Sequence, residues 1–565
     1  APAMWATTVA VAAAAPNIVF FLADDMGYGD AGYLSTAPPE RKLRTPSLDR
    51  MVQDGMSFTE AYAGAPVCAP SRCTLITGRH SGHCTIRSNG PSLNSTDVGV
   101  AQVLKKAGYR TVHVGKWGLG IMSSNESSPM AKGFDEYYGQ VDQNYCHDYY
   151  PYEMDSNRNV PGQKGLKEYL AANKGASPAS CGNDHLKCRW SGDEWSDVSN
   201  QWLLDEGKRK AGGDKTPFFM YLSFTAPHAG GIGTTIEGQP PVPGISTGPY
   251  ANSSYGKEVG YASAVTAIDA KLGLYFETLK KAGLDQNTIT FFSSDNGASN
   301  EGNHDYKYFT SSGALQGYKR SLHEGGHRTP LVVTWPGKIA AGTRSLHQFA
   351  FYDFLATAAD LAGVATDALP SHDGTSIVPT LLGKGQDLPP FVYHEYCAPN
   401  EKSTGWGQSV RIGNWSAVCV GDKLSAGKIP ACDVPLLYDL GEDVGQTKDV
   451  AAKHPDVVAQ VMQIMRDQHE YNPYCGAPVP TQPFALTDLH GAWVQTSLGT
   501  PAMTISVSNA TDTQADLTLT CVEPCTCCNW RTAAGTVKKT AAGAADLDVR
   551  ATGPQSFVAA ESGAA

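Results

Sequence analysis

The sequence predicts an α/β protein organised on a large, mostly parallel sheet, and three observations carry that expectation. Continuous apolar runs at 17–23 (NIVFFLA), 217–225 (PFFMYLSFT) and 288–294 (TITFFSS) have the texture of strands buried on both faces. Between them lie stretches of helical periodicity closed by glycine, so that helix and strand alternate. Each apolar run also stops at residues that carry chemistry: Asp24-Asp25, Pro227-His228 and Asp295-Asn296. Open α/β sheets hold ligands at the carboxyl ends of their strands.

At 565 residues the chain is too long for one ordinary core, and two or three domains are expected. The net charge of −11 argues against broad nucleic-acid binding but leaves room for a small anionic substrate at a local basic cluster. Fourteen cysteines, with sequons at Asn94, Asn125, Asn252, Asn414 and Asn509, point to an oxidising compartment, hence to a secreted or secretory-pathway protein. No run reaches the roughly 18 apolar residues of a membrane span. Residues 1–15, with the alanine-rich run ATTVAVAAAA at 6–15, read as the remnant of a signal peptide or as disorder.

Taken in order, the first strand ends at Asp24-Asp25, a pair that suits either a capped solvated turn or a ligand site. Cys68-Ala69-Pro70-Ser71-Arg72 reads as a loop turning into a helix, with Pro70 at the first helical position and Cys68 just ahead of the N-terminus. Arg72, one turn on, can return to the same end. Thr96 reads as the N-cap of a helix bearing Val100, Val103, Leu104 and Ala107, stopped by Gly108. The strand 109–114 then delivers Gly115-Lys116-Trp117-Gly118, where glycines around a lysine permit close approach of an anion. An aromatic segment at 133–151 holds His147. Residues 161–215 read as a long excursion pinned by a Cys181–Cys188 disulfide. His228 closes the second apolar strand.

Val265, Ile268, Leu272 and Leu279 mark one face of a long helix ending at Gly283. The next strand closes on Asp295-Asn296. Residues 318–330 form a glycine-rich turn into the strand 331–334, with Glu324 and Arg328 read as a structural ion pair. A helix around Leu355, Ala358 and Leu361 ends at Gly363. From about 390 the texture changes to short strands at 391–396, 408–419 and 437–440, followed by a helix with Val457, Val458, Val461 and Met465. Period-two alternation at 503–507 and 517–519 predicts a further small β module. Its close cysteines at 521, 525, 527 and 528 favour disulfides over a metal, and the Ala/Gly-rich tail after Thr540 reads as disordered. Asp24, Asp25, Asp295 and Asn296 together offer hard oxygen donors, which suit Ca²⁺ or Mg²⁺ and not zinc.

The run C-x-P-S-R then L-x-T-G-R at 68–79 resembles the signature of the type I sulfatases. Gly115-Lys116-Trp117, Pro227-His228 and the G-x-K-x-x-x-x-E-G-G-x-R-x-P pattern at 317–330 extend the resemblance over most of the first 475 residues. It implies an alkaline-phosphatase-like architecture, with a catalytic domain at 16–389 and an antiparallel-sheet-plus-helix subdomain at 390–475. The β module at 476–565 lies outside it. It also implies that Cys68 is oxidised by a formylglycine-generating enzyme to formylglycine, whose hydrate attacks sulfur with one hydroxyl and expels sulfate by collapse of the other. One divalent cation, Ca²⁺ first and Mg²⁺ as the alternative, would be held by Asp24, Asp25, Asp295, Asn296 and the group at Cys68. Arg72, Lys116 and Lys319 would contact sulfate, and His228 would protonate the leaving oxygen.

Gly118 stands where the family often has a histidine. His147 is the candidate to replace it, ahead of His113, which faces away from Lys116 along the strand. With Cys68 converted, thirteen cysteines remain, and Cys73 is expected to be the free one. The expected partner is a sulfated small molecule or glycan. Two other readings stand beside the sulfatase one. A phosphatase or phosphodiesterase on the same superfold would want a Ser or Thr nucleophile and zinc-binding histidines, and a silent sulfated-glycan-binding protein would keep Cys68 as a thiol.

Overall fold

Ten strands form the central sheet of the computed structural model, which describes residues 15–158, 166–176, 178–181, 186–230, 239–397, 406–421 and 429–472 and the strands of a C-terminal sheet. The chain divides into two units, Ala1–Gly476 and Ala477–Ala565. In the first unit the five middle strands run Thr288–Ser294, Asn17–Asp24, Phe218–Pro227, Arg110–Lys116 and Glu136–Gln140, all parallel. Leu331–Thr334 and Met56–Phe58 extend one edge, antiparallel to Thr288–Ser294 and Leu331–Thr334 respectively, and Thr343–Ser345 closes it. Two short antiparallel strands, Glu153–Ser156 and Lys167–Tyr169, extend the other.

The apolar runs are continuous because both faces of this sheet are covered. Val19 and Phe21 of the central strand point into one core, with Trp195 and Leu203 of the helix Ser191–Ala211 and Val265, Ile268 and Leu272 of the helix Val259–Lys281. Ile18, Phe20 and Leu22 point into the other, against Leu75 and Ile76 of the helix Cys68–Thr77, Leu104 of the helix Val100–Lys106, and Phe354 and Leu355 of the helix Asp353–Leu361. This is the period-two division of a strand between two faces.

Four local expectations are corrected. The helix after the motif begins on Cys68 itself, with Val67 as N-cap, and its first helical bond is Ser71 N–H to the Val67 carbonyl at 3.1 Å. Pro70 is therefore the third helical residue, still within the first turn, where an N–H would have no intrahelical partner. Gly99, not Thr96, caps the next helix, because Thr96 N–H and Oγ1 both bond the Asn94 side chain. Much of the supposed excursion is the 21-residue helix Ser191–Ala211, whose polar composition hides a single buried stripe. Cys73 is not free: it is bridged to Cys84, eleven residues on. Cys68 and Cys146 are the free cysteines among the described residues, and Cys181–Cys188 is bridged as expected.

The C-terminal part of the first unit is a four-stranded antiparallel sheet, Val392–Tyr396, Gly407–Ile412, Trp415–Val420 and Leu436–Asp439, with the helix Pro455–Asp467 laid on it through Val461 and Met465. Ion pairs join it to the larger sheet. Buried Arg87 meets Glu395 at 2.9 Å, and Glu324 meets Arg328 at 3.1 Å and Arg411 at 3.5 Å. The second unit is a five-stranded antiparallel sheet in sequence order: Trp493–Val494, Met503–Ser508, Gln514–Cys521, Thr532–Lys539 and Ala545–Ala551. Its last strand falls in the tail expected to be disordered. Residues 1–14, 525–528 and 552–565 lie outside the described residues, and with them most of the signal-remnant and cysteine-cluster expectations.

Phe20 lies at the middle of the sheet, 0% exposed, its ring 4.7 Å from Phe354 and 5.9 Å from Phe291. Phe20→Ala is expected to lower stability by about 3–5 kcal/mol through lost transfer and a residual cavity, read as a drop in the urea unfolding midpoint. His80 makes a pH-dependent counterpart. It links the end of the Cys68 helix to the subdomain through Gln468 at 3.0 Å, and burial, only partly opposed by Asp373, pushes its pKa from 6.5 down to about 4. The folded state thus holds the imidazole neutral while the unfolded chain protonates it. The stability from this site is present above pH ~6.5 and lost toward pH ~4, by roughly 3 kcal/mol at the bottom of the window. His80→Gln should flatten the acid limb of the unfolding-midpoint-against-pH curve.

Candidate active site

Parallel register brings the strand ends together. Leu22 and Ala23 pair with Ser293 and Ser294, so Asp24-Asp25 and Asp295-Asn296 emerge side by side. Asp25 sits in the left-handed region with φ of 68°, a conformation a non-glycine residue keeps only when its surroundings fix it. Three bonds fix it here. Its N–H donates to Asp295 Oδ1 at 3.2 Å, its carbonyl accepts from Tyr261 Oη at 3.1 Å, and its Oδ1 accepts from Asn296 Nδ2 at 2.7 Å. Asn296 Oδ1, by contrast, is buried with no hydrogen-bond partner among the described residues.

The helix Cys68–Thr77 brings its first turn to the same place. The Cys68 thiol donates to Asp24 Oδ1 at 3.4 Å, and Arg72 reaches Asp295 Oδ2 through both Nε at 2.9 Å and a terminal nitrogen at 2.8 Å. Lys116, from the end of its strand, lies 2.6 Å from Asp24 Oδ2 and 2.9 Å from His147 Nε2. Lys319 mirrors it, 2.9 Å from Asp25 Oδ2 and 3.0 Å from His228 Nε2. The two imidazoles stack, with centroids 3.8 Å apart and planes within 5°. His228 Nδ1 lies 2.7 Å from the Ala229 carbonyl, which assigns its proton to Nδ1 and turns Nε2 to the site.

Every site residue named from sequence therefore stands in one space. His113 does not: it packs among Trp117, Phe134 and Tyr137, with Nε2 2.9 Å from Ser223 Oγ. Glu301 was missed. It joins Lys319 at 2.8 Å and pairs with Arg320, and nothing in its sequence context marks it apart from lying five residues beyond Asn296.

The electrostatics follow from burial and from the neighbouring charges. Burial alone would raise the Asp24 carboxyl, but Lys116, His228 and Arg72 outweigh it and hold it well below the ordinary value. Asp295 goes the other way, to about 7, because burial and the charge of Asp24 exceed what Arg72 returns. Burial and then Asp24 push the Cys68 thiol far up, so position 68 offers no ready thiolate. Burial, then His228 and Lys116, hold His147 neutral, and burial with Lys319 lowers His228.

Among the described residues two groups of side chains are close enough to share an ion. In one, ligand atoms of Asp24, Asp25, Cys68 and His228 lie within 4.8 Å of one another, with Asp295 and Asn296 adjoining. The unpartnered Asn296 oxygen beside carboxylate oxygens fits a hard divalent cation. In the other, His80, His83 and Asp373 meet, but both ring nitrogens of His80 already bond protein groups.

A mostly parallel sheet with helices on both faces, acids and cations at its strand ends and a separate antiparallel subdomain defines a hydrolase of the alkaline-phosphatase-like class. The family model described as Sulfatase matches residues 16–364. N-acetylgalactosamine-6-sulfatase of Mus musculus is 28% identical, covering 83% of this chain and 88% of that protein. The same enzyme of Canis lupus familiaris is 30% identical, covering 82% and 87%. The crystal structure of Ps i-CgsB has the same fold, with a TM-score of 0.62 at 24% identity over 82% of this chain and 95% of that one. The chain belongs to the sulfatase family, and it is a sulfuric ester hydrolase.

A cation held by these oxygens binds the folded state and not the unfolded chain, so it should raise the unfolding midpoint by mass action. Millimolar Ca²⁺ added to chelator-treated protein is expected to give that upward shift in calorimetry. Asp25→Ala should abolish it and Asn296→Ala reduce it. A shift of full size in both variants would place the ion elsewhere.

Proposed function

We propose that this chain hydrolyses sulfate esters of carbohydrates. In this reading residue 68 is carried as formylglycine, made by a formylglycine-generating enzyme, and Asp24, Asp25, Asp295 and Asn296 hold Ca²⁺ or Mg²⁺. The observation that carries the reading is the meeting of Cys68, the paired acids and three buried cations in one space. A formylglycine supplies the attacking hydroxyl, and the cation offsets charge on the sulfate.

The chain's own residues supply the remainder. Arg72, Lys116 and Lys319 face the sulfate as fixed donors, which stabilises charge as it moves onto the transferring group. His228, anchored through Nδ1, shares the Lys319 proton at Nε2 and passes a proton to the leaving oxygen as the S–O bond breaks. His147, held neutral and accepting from Lys116 at Nε2, would take up the proton of the nucleophile by way of Lys116, which gives its shared proton to the imidazole as it receives the one leaving residue 68; a side chain at position 118 cannot perform this task here. Disulfides at Cys73–Cys84, Cys181–Cys188 and Cys419–Cys432 support passage through an oxidising, secretory-type compartment. Among the described residues no helix is long and apolar enough to cross a membrane. The carbohydrate substrate is supported by the N-acetylgalactosamine-6-sulfatase relatives.

Peptide mass spectrometry across residue 68, on protein from maturation-competent cells, should show an aldehyde in place of the thiol. An unconverted thiol beside a converted control sulfatase would leave a binding protein without turnover. In the converted enzyme, His228→Asn should lower kcat by about 10²–10⁴-fold on a sugar sulfate. The loss should be much smaller on p-nitrophenyl sulfate, whose leaving oxygen needs no proton. Equal losses on both substrates would remove His228 from the role of acid.

A further inference from the structure

Gln143 lies between the strand Glu136–Gln140 and the short turn Tyr145–His147 that carries His147. Both heteroatoms of its carboxamide are buried, and neither has a hydrogen-bond partner among the described residues. An amide buried with both ends unbonded is costly and uncommon in native structures, so such a group points to a partner that arrives later.

The surroundings fix the segment that carries it and set its amide beside Gly118. Trp117 N–H donates to the Gln140 carbonyl at 3.0 Å and Gly118 N–H to the Val141 carbonyl at 3.1 Å, which lays the 141–143 segment over Gly118. Gln140 Nε2 bonds the Tyr145 carbonyl at 2.7 Å, and Thr225 Oγ1 bonds the Cys146 carbonyl at 2.7 Å, which holds the far side of the turn. Gly118 has φ of 71°, and a Cβ built on it would collide with Gln143 Oε1 before meeting Lys116 Cε at 3.6 Å. The absence of a side chain at 118 is thus what lets the carboxamide lie beside the Lys116 stem.

We propose that the Gln143 carboxamide contacts the substrate, donating an N–H to an oxygen of the sulfate group beside Lys116, and that glycine at 118 keeps the space for it. The inference rests on the reading above that Lys116 faces the sulfate. A carboxamide suits the place because it is a neutral donor that can present either end. It adds a bond to the anion without adding a fourth cation next to Arg72, Lys116 and Lys319.

The test uses the full, formylglycine-bearing chain with p-nitrophenyl sulfate as substrate and inorganic sulfate as competing ligand. Gln143→Ala should raise both the KM and the inhibition constant for sulfate by about tenfold, with kcat changed less. Gln143→Glu should weaken both further, because a carboxylate there repels the anion. Gly118→Ala, which displaces the amide, should reproduce Gln143→Ala, and the double variant should be no weaker than either single one, since both remove the same contact. Unfolding midpoints identify any variant that fails to fold, and the two Gln143 variants decide the matter without Gly118→Ala. Unchanged KM and sulfate inhibition in Gln143→Ala and Gln143→Glu, with an active parent enzyme, would overturn this inference and leave the sulfatase reading intact. A parent enzyme with formylglycine at 68 and no turnover of any sulfate ester would overturn the reading beneath it, and the inference with it.

Discussion

The structure depends on a set of charges buried together at the ends of the central strands. Asp24, Asp25, Asp295, Arg72 and Lys116 are fully buried, and Lys319 almost so. An ion left alone in such a place costs several kcal/mol, so these six are tolerable only as a set of pairs, Asp24 with Lys116, Asp25 with Lys319 and Asp295 with Arg72. Glu301 with Arg320 adds a balanced pair at the rim. The balance has a consequence for ligands. A divalent cation held among these acids would leave the set two charges positive, and the single negative charge of a sulfate ester would offset part of that excess.

Holding that set together is what the larger architecture does. Three parallel strands end at the same level and deliver Asp24, Lys116 and, just beyond its end, Asp295. The helix Cys68–Thr77 then closes the space from one side. The segment carrying Lys319 has no strand of its own and is fastened by its backbone instead, Lys319 N–H to the Ala298 carbonyl and Arg320 N–H to the Pro66 carbonyl, both at 2.7 Å. Behind it, Glu324 gathers Arg328, Arg411 and the Tyr62 hydroxyl, which ties the segment to the C-terminal subdomain. Gly297, Gly325 and Gly326 pass so close together that a Cβ on any of them would strike neighbouring backbone. The glycines and the Glu-Arg pair of this segment are therefore supports for the lysine and not reagents.

What could be read from sequence was whatever a local pattern encodes. A strand buried on both faces announces itself as an unbroken apolar run, and the residue that follows it must lie at the sheet's carboxyl edge, which is why Asp24, His228 and Asp295 were legible. Features set by approach in three dimensions were not. Cys73 pairs with Cys84 because a turn after the helix brings them together, and no spacing rule says so. Thr96 looked like a cap until Asn94 took its hydrogen bonds, leaving Gly99 to start the helix. The helix Ser191–Ala211 was hidden by a polar face that makes most of its sequence look like loop. Glu301 and Gln143 sit in loops without motif, and only the atoms that surround them give them meaning.

The two lysine–histidine pairs show why geometry adds to a residue list. Lys116–His147 and Lys319–His228 are built alike, one on each acid of the Asp24-Asp25 pair, and their rings lie face to face at 3.8 Å. Two imidazolium ions cannot share that stack in a buried space beside two ammonium groups, since like charges at such a distance repel strongly where little solvent screens them. Burial first, and then each ring's neighbours, hold both imidazoles toward the neutral form. At any moment the stack can therefore carry at most one extra proton. In the proposed mechanism one proton leaves the attacking oxygen and another reaches the leaving one, and the limit on the stack means that the two rings would not hold those protons at the same moment. Each ring meets the face of the other and not its nitrogens, so each would exchange its proton through its own lysine, His147 with Lys116 and His228 with Lys319.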